Sequence, residues 1–178
     1  STAIIDGAGS LGDHPVSMSF DVQLSELAPD VAFVEAFGNV VALRGDGELA
    51  LVDASGPLHA RGVHDAIRDW TGLPARTVVY THGHVDHIAA VAAFEAEDRG
   101  PLEVVAHEAV EARFDRYDRT HGYNARINQR QFQLPAPMFP QGHRRPDRVH
   151  RDGMELTAAG RTLALRHDRG ETDDGTWV

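Results

Sequence analysis

The 178-residue chain is 42% hydrophobic and 25% charged, a composition suited to one globular domain and unsuited to a disordered chain. Its formal net charge of −10 argues against a general nucleic-acid surface, and it has no run of about 18 apolar residues that could form a membrane-spanning helix. Cysteine is absent, which removes disulfides and thiolate metal sites and suits a cytoplasmic location, and all 17 basic residues are arginine, which removes lysine nucleophiles. Residues 1–30 read as a loop-like segment, with Gly7, Gly9, Gly12 and Pro15. Three apolar runs follow, Val31–Ala36, Asn39–Arg44 and Glu48–Asp53, and Arg44-Gly45-Asp46-Gly47 between the last two is a hairpin signal. Ser55-Gly56-Pro57 turns into a helix that places Leu58, Val63, Ile67 and Trp70 near one face and stops at Gly72 and Pro74. His59 and His64 are expected on its exposed face.

The β-branched run Arg76–Tyr80 predicts a buried strand, followed by a helix over Ile88–Glu97, a strand over Leu102–Ala106 and a helix over His107–Arg119. Strand–helix–strand units after a meander argue for a sheet covered by helices. Residues 120–153 are polar, rich in arginine and broken by Pro135, Pro137, Pro140 and Pro146, so they read as a long loop of functional interest. Strands resume near Met154–Leu156 and Thr162–Arg166, and Thr176-Trp177-Val178 reads as the start of another.

The chemistry concentrates in His82-Gly83-His84-Val85-Asp86-His87. At the end of an extended strand, residues i and i+2 project to the same side, so His82 and His84 face one position. Asp86 and His87 follow where the chain tightens into a helix and can face a second. Gly83 leaves room between the first two. Imidazole and carboxylate donors without thiolates suit zinc, and also manganese or iron. A solvated loop is the natural reading of one histidine. It is a poor reading of His-x-His-x-Asp-His directly after a β-branched strand and before a helix.

Thr81-His82-Gly83-His84-Val85-Asp86-His87 resembles the signature of the metallo-β-lactamase superfamily of metal-dependent hydrolases, and the upstream meander, Asp53 at a strand end and the following helix are similar to the first half of that fold. The resemblance covers most of residues 31–178. It implies an α/β fold, the N-terminal portion of an αββα sandwich, incomplete at the C-terminus. It also implies that His82 and His84 bind a first metal and Asp86 and His87 a second, with zinc the expected ion and Asp86 at the catalytic centre. The superfamily's next ligand is usually a histidine in a Gly-His-Thr-like turn. The matching place here is Arg169-Gly170-Glu171-Thr172-Asp173-Asp174, where Glu171 replaces it in a manner similar to the alkylsulfatase branch. His167 stays open as the alternative ligand.

The implied reaction is hydrolysis by a metal-activated water, with an ester such as an alkyl sulfate as the leading substrate. Phosphodiester, lactone or thioester hydrolysis, and a non-catalytic metal-binding subunit of a larger assembly, are the alternatives. Two further ligands, a carboxylate and a histidine, are expected from a second polypeptide or C-terminal portion that pairs with Trp177. A homo-oligomer is open as well, whereas nucleic-acid and membrane partners are not expected. By the same resemblance Asp53 supports a ligand histidine; a turn-capping role is the other reading. The stretch Arg116–Gln131 can bind oxyanions through charge-assisted hydrogen bonds or form a solvated helix, and Tyr123 and Asn124 are its candidates for substrate contact. His107 is read as structural, and His14, His143 and His150 as loop residues with no partner to name.

Overall fold

The structure, a computed structural model, describes residues 21–98 and 100–178. Strands β1 (Gln23–Ala28), β2 (Val31–Glu35), β3 (Val40–Gly45) and β4 (Glu48–Val52) form an antiparallel meander. Between β3 and β4 lie Asp46 and Gly47, with φ of 50° and 80°. Two successive positive φ angles are what a two-residue hairpin needs to match the strand twist. Beyond β4 the sheet becomes parallel, adding β5 (Ala75–Val79), β6 (Glu103–His107) and β7 (Arg148–His150) in order. The crossovers carry helices α1 (Ala60–Trp70), α2 (Val91–Glu97) and α3 (Ala109–Gln131). A second, antiparallel sheet holds β8 (Gly153–Ala158), β9 (Arg161–His167) and β10 (Thr176–Trp177), with β9 in the middle.

The apolar pattern of the central strands explains the layering. Leu49, Leu51, Val78, Val104 and Ala106 point to one face and pack with Val63, Ile67, Phe94, Val110 and Phe114 of the helices. Their neighbours Ala50, Val79 and Val105 point to the other face and pack with Leu156, Ala158, Leu163 and Leu165 of the second sheet. Strands buried on both faces read as continuous apolar runs, which is why β4, β5 and β6 show no polar alternation. Strands β8 and β9 do alternate, with Leu156, Ala158, Leu163 and Leu165 inward and Glu155, Thr157, Thr162 and Arg166 exposed. One side of the large sheet therefore carries helices and the other carries the small sheet, and the chain's chemistry gathers where the parallel strands end.

Several expectations need correction. The segment before residue 31 contains β1, which pairs with β2 and belongs to the sheet. The stretch after Arg119 is not a loop from the outset, because α3 runs unbroken to Gln131. No proline intervenes before Pro135, and the cost of Gly122 inside a helix, about 1 kcal/mol, is opposed by the buried Ala125 and the Thr120–Asn124 side-chain bond. His59 and His64 are 3% and 1% exposed, not on an open face. Ala60, Val63, His64 and Ile67 share one stripe of α1, and His64 packs on the Phe94 ring at 4.8 Å. His150 lies in β7, buried, with Nε2 3.1 Å from Thr176 Oγ1. His14 lies outside the described residues.

Candidate metal centre

Two loops are zipped together to build the site. After β4 the chain turns through Asp53 and Ser55 at φ of 63° and 50°. The backbone N–H of Ala54 donates to His87 O, that of Ala89 to Ser55 O and that of Ala90 to Ala54 O, at 2.7–2.9 Å. Gly38 sits at φ +81° with the Asp86 carbonyl so close that an added Cβ would lie 1.6 Å from its oxygen, so only glycine fits there.

Asp53 is the hub. Its carboxylate accepts the Thr81 backbone N–H at 2.7 Å, the Thr81 hydroxyl at 2.6 Å and His87 Nδ1 at 2.7 Å. His87 therefore keeps its proton on Nδ1 and presents Nε2, which lies 3.5 Å from Asp86 Oδ2. Burial works to lower the His87 imidazole, but the bond to and charge of Asp53 outweigh it and hold it above its ordinary value. Thr81 Oγ1, having donated to Asp53, accepts from His82 Nδ1 at 3.0 Å. That leaves His82 Nε2 unprotonated, buried and without a hydrogen-bond partner. Burial, then the neighbouring His87 and His84, push the His82 imidazole below its ordinary range.

Glu171 reaches this point from the loop between β9 and β10. Its carboxylate lies 3.2 Å from His84 Nδ1 and 3.8 Å from His82 Nε2. The ligand atoms of His82, His84 and Glu171 all lie within 4.8 Å of one another. The His82 ring is 4.6 Å from the His84 ring and 4.2 Å from the His87 ring. The donor set fits a divalent metal: an orphaned buried imidazole nitrogen, a second imidazole, a carboxylate, and an adjoining His87–Asp86 pair, all nitrogen or oxygen. His167 is turned elsewhere. Its Nδ1 donates to Gly175 O at 3.0 Å and its ring stacks on His107 at 3.9 Å.

A cleft of about 390 Å³ opens beside the donors, with His84, Asp86 and Glu171 in its wall. Phe37, Leu58, Ile127, Met138 and Phe139 supply apolar lining, and α3 contributes Asn124, Asn128 and Gln131. Asn124 lines the cleft. Tyr123 does not. It is 70% exposed, one step round the helix, so its assignment to substrate contact is corrected. Sequence reasoning missed the aromatic wall, His59 in that wall, and Thr81. It also missed a buried arginine, Arg113, although an arginine set among Val110, Phe114 and Tyr117 at helical spacing was a usable signal.

The sequence model of the metallo-beta-lactamase superfamily matches residues 34–178. The chain belongs to that superfamily. No curated protein matches it at a significant level. Among solved structures, it is similar to a metallo-β-lactamase with a HARLDQ motif from Cronobacter sakazakii, at 21% identity and a TM-score of 0.66, over 87% of this chain and 56% of that one. It is similar to the stereoselective inverting sec-alkylsulfatase Pisa1 from Pseudomonas sp., at 20% identity and a TM-score of 0.70, over 87% of this chain and 29% of that one. It is also similar to BJP-1, a subclass B3 metallo-β-lactamase of Bradyrhizobium japonicum, at 22% identity and a TM-score of 0.63, over 86% of this chain and 54% of that one. The likeness is one of fold, and the chain spans between 29% and 56% of the length of these structures. Among the described residues no helix is long and apolar enough to cross a membrane.

Proposed function

We propose that the protein is a metal-dependent hydrolase of esters that join an apolar chain to an anionic group, with alkyl sulfates the leading class. The observation that carries this reading is the cleft: an apolar pocket lined in part by His84, Asp86 and Glu171, with no arginine among the described residues that line it. An apolar tail is stabilised there by about 25 cal/mol for each Å² removed from water, whereas a second anionic group on that tail would lie among apolar and neutral side chains with no cation to pair with. The charged end of such a substrate then lies at the donors. Glu171 in place of a histidine adds support through its likeness to the alkylsulfatase branch.

Zinc, as two ions, is the proposed cofactor, held by His82, His84 and Glu171 on one side and Asp86 and His87 on the other. When bound it supplies a polarising charge and brings a water's pKa near neutrality. The chain's own residues set up the rest. Asp53 fixes the His87 tautomer and keeps Nε2 toward Asp86. Thr81 does the same for His82, passing the orientation of Asp53 through its hydroxyl. Phe37, Leu58 and Phe139 exclude water from the tail, and Asn124, Asn128 and Gln131 offer neutral hydrogen bonds along one side.

The test is a panel assay of the full-length protein loaded with zinc, against secondary alkyl sulfates, a phosphodiester, a lactone, a thioester and a β-lactam. Release of sulfate, lost in His84→Ala and Glu171→Ala, is the expected result. Faster turnover of any other member without sulfate release overturns the substrate class. Stoichiometric metal without turnover of any member marks a non-catalytic binding subunit.

A further inference from the structure

Glu171 has no hydrogen bond to its own loop that would hold it in place. Its carboxylate is mostly exposed, and its ion-pair neighbours are His82 and His84. Something else must place it. The loop closes at its base, where the Asp168 N–H donates to Gly175 O at 3.2 Å. Three residues beyond Glu171, the Asp174 side chain is 0% exposed, and it is the only charged side chain on this loop to be so buried. Its Oδ2 accepts the Gly83 N–H at 3.0 Å, and Gly83 is the residue between His82 and His84. The same carboxylate takes a two-point bond from Arg113 of α3, Nε to Oδ2 at 2.7 Å and Nη2 to Oδ1 at 2.9 Å. Arg113 Nη2 also donates to Asp173 at 2.7 Å.

Burial alone would raise the Asp174 carboxyl, but Arg113, Thr172 and the Gly83 N–H hold it below its ordinary value, so it is charged. The fit around Gly83 is close: a Cβ there would lie 3.0 Å from Arg113 Cδ and 3.1 Å from Asp174 Oδ2. A buried ion pair is a poor source of stability, since taking two charges from water offsets most of their attraction. What it does supply is direction. A planar guanidinium gripping a carboxylate at two points fixes both distance and orientation.

We infer that Arg113 and Asp174 are positioning residues for the metal centre: their buried pair clamps the Glu171 loop to the His82–His84 loop and sets the distance between the carboxylate donor and the two imidazoles. The inference rests on the reading that His82, His84 and Glu171 hold a metal. Helix α3 is thereby fixed to both ligand loops at its N-terminal half, while its C-terminal half walls the cleft.

Zinc affinity by competition with a chromophoric chelator, and the melting temperature of the metal-free protein, test this on the full-length protein. The variants are Asp174→Asn and Arg113→Lys, each alone and in a Glu171→Ala background, with His84→Ala alongside. Either single change is expected to weaken zinc binding about 10–100-fold, the range for residues that orient ligands. In the Glu171→Ala background the same changes should alter affinity by less than about 3-fold, because no carboxylate donor remains to be placed. If a single variant loses its cooperative melt, the pair Arg113→Met with Asp174→Asn, which strands no charge, replaces it. Affinity unchanged while the melting temperature falls overturns the inference and leaves a structural ion pair. So does a full loss that persists without Glu171. If His84→Ala leaves zinc affinity untouched, the metal reading itself fails, and the inference with it.

Discussion

His82, His84 and His87 meet where β5 ends, and His107, His150 and His167 meet where β6 and β7 end, so the molecule holds two groups of three histidines near the ends of its parallel strands. The first group is tilted, with interplanar angles of 68° and 50°, and two of its rings have their outer nitrogens occupied by Thr81 and Asp53. The inner nitrogens are left facing the carboxylates of Glu171 and Asp86. In the second group each ring has one nitrogen engaged away from a common point, and His150 Nδ1 is left buried without a partner. His107 Nδ1 accepts the Ala109 N–H, His167 Nδ1 donates to Gly175 O, and His150 Nε2 meets Thr176. His107 and His167 stack nearly flat, 15° apart, so their in-plane lone pairs run side by side instead of converging. Histidine count therefore does not make a metal site. Unspent lone pairs aimed at one point, with a carboxylate beside them, do.

The largest effect that could break this contrast is on metal binding. His84→Ala is expected to weaken zinc affinity by at least about 100-fold, beyond the upper end of what an orienting residue costs. His107→Asn, whose Oδ1 can still accept the Ala109 N–H, should leave affinity within a few-fold of wild type. Equal losses in a chelator competition assay would erase the distinction. Next comes the hub. Asp53→Asn removes the charge that fixes His87 Nδ1 and one acceptor shared with Thr81, and zinc affinity is expected to fall about 10–100-fold. An unchanged affinity would reduce Asp53 to a turn residue.

The smallest effect is on stability and belongs to the second group. Burial first, then neighbouring imidazoles, lowers His107 and His150 below the ordinary 6.5. A histidine whose folded pKa is depressed binds protons more readily when unfolded. The stability tied to its neutral form is complete above 6.5 and is lost as pH falls from there toward the folded value. The metal-free protein should melt at a lower temperature at pH 5.5 than at pH 7.5, with the difference reduced in His150→Asn. A melting temperature independent of pH in both would show that these rings titrate normally.

Much of the site was legible because it is local. His82, His84, Asp86 and His87 sit within six residues on one strand-to-helix junction, and spacing alone puts them together. Asp53 was legible as an acid at a strand end, but its partners lie 28 and 34 residues away, and only the pairing of β4 with β5 brings them near. Tyr123 and Asn124 were chosen from a stretch taken for a loop. Once α3 continues to Gln131, adjacent residues point in different directions, and only Asn124 faces the cleft.

By itself the sequence determined the last three strands of the meander, the Asp46-Gly47 turn, the burial of β5 and the metal-ligand motif. Each depends on residues a few positions apart and on preferences that the local chain carries with it. The tertiary structure decided the rest. The choice between Glu171 and His167 was open in the sequence, since His167 ends β9 and Glu171 lies in the turn that follows it. It is Glu171 that stands against His84, while His167 is held by Gly175 and His107. That outcome depends on a carboxylate 91 residues from Gly83 and 61 from Arg113. Contacts of such separation leave no period or spacing in the chain, because they are set by how the layers pack.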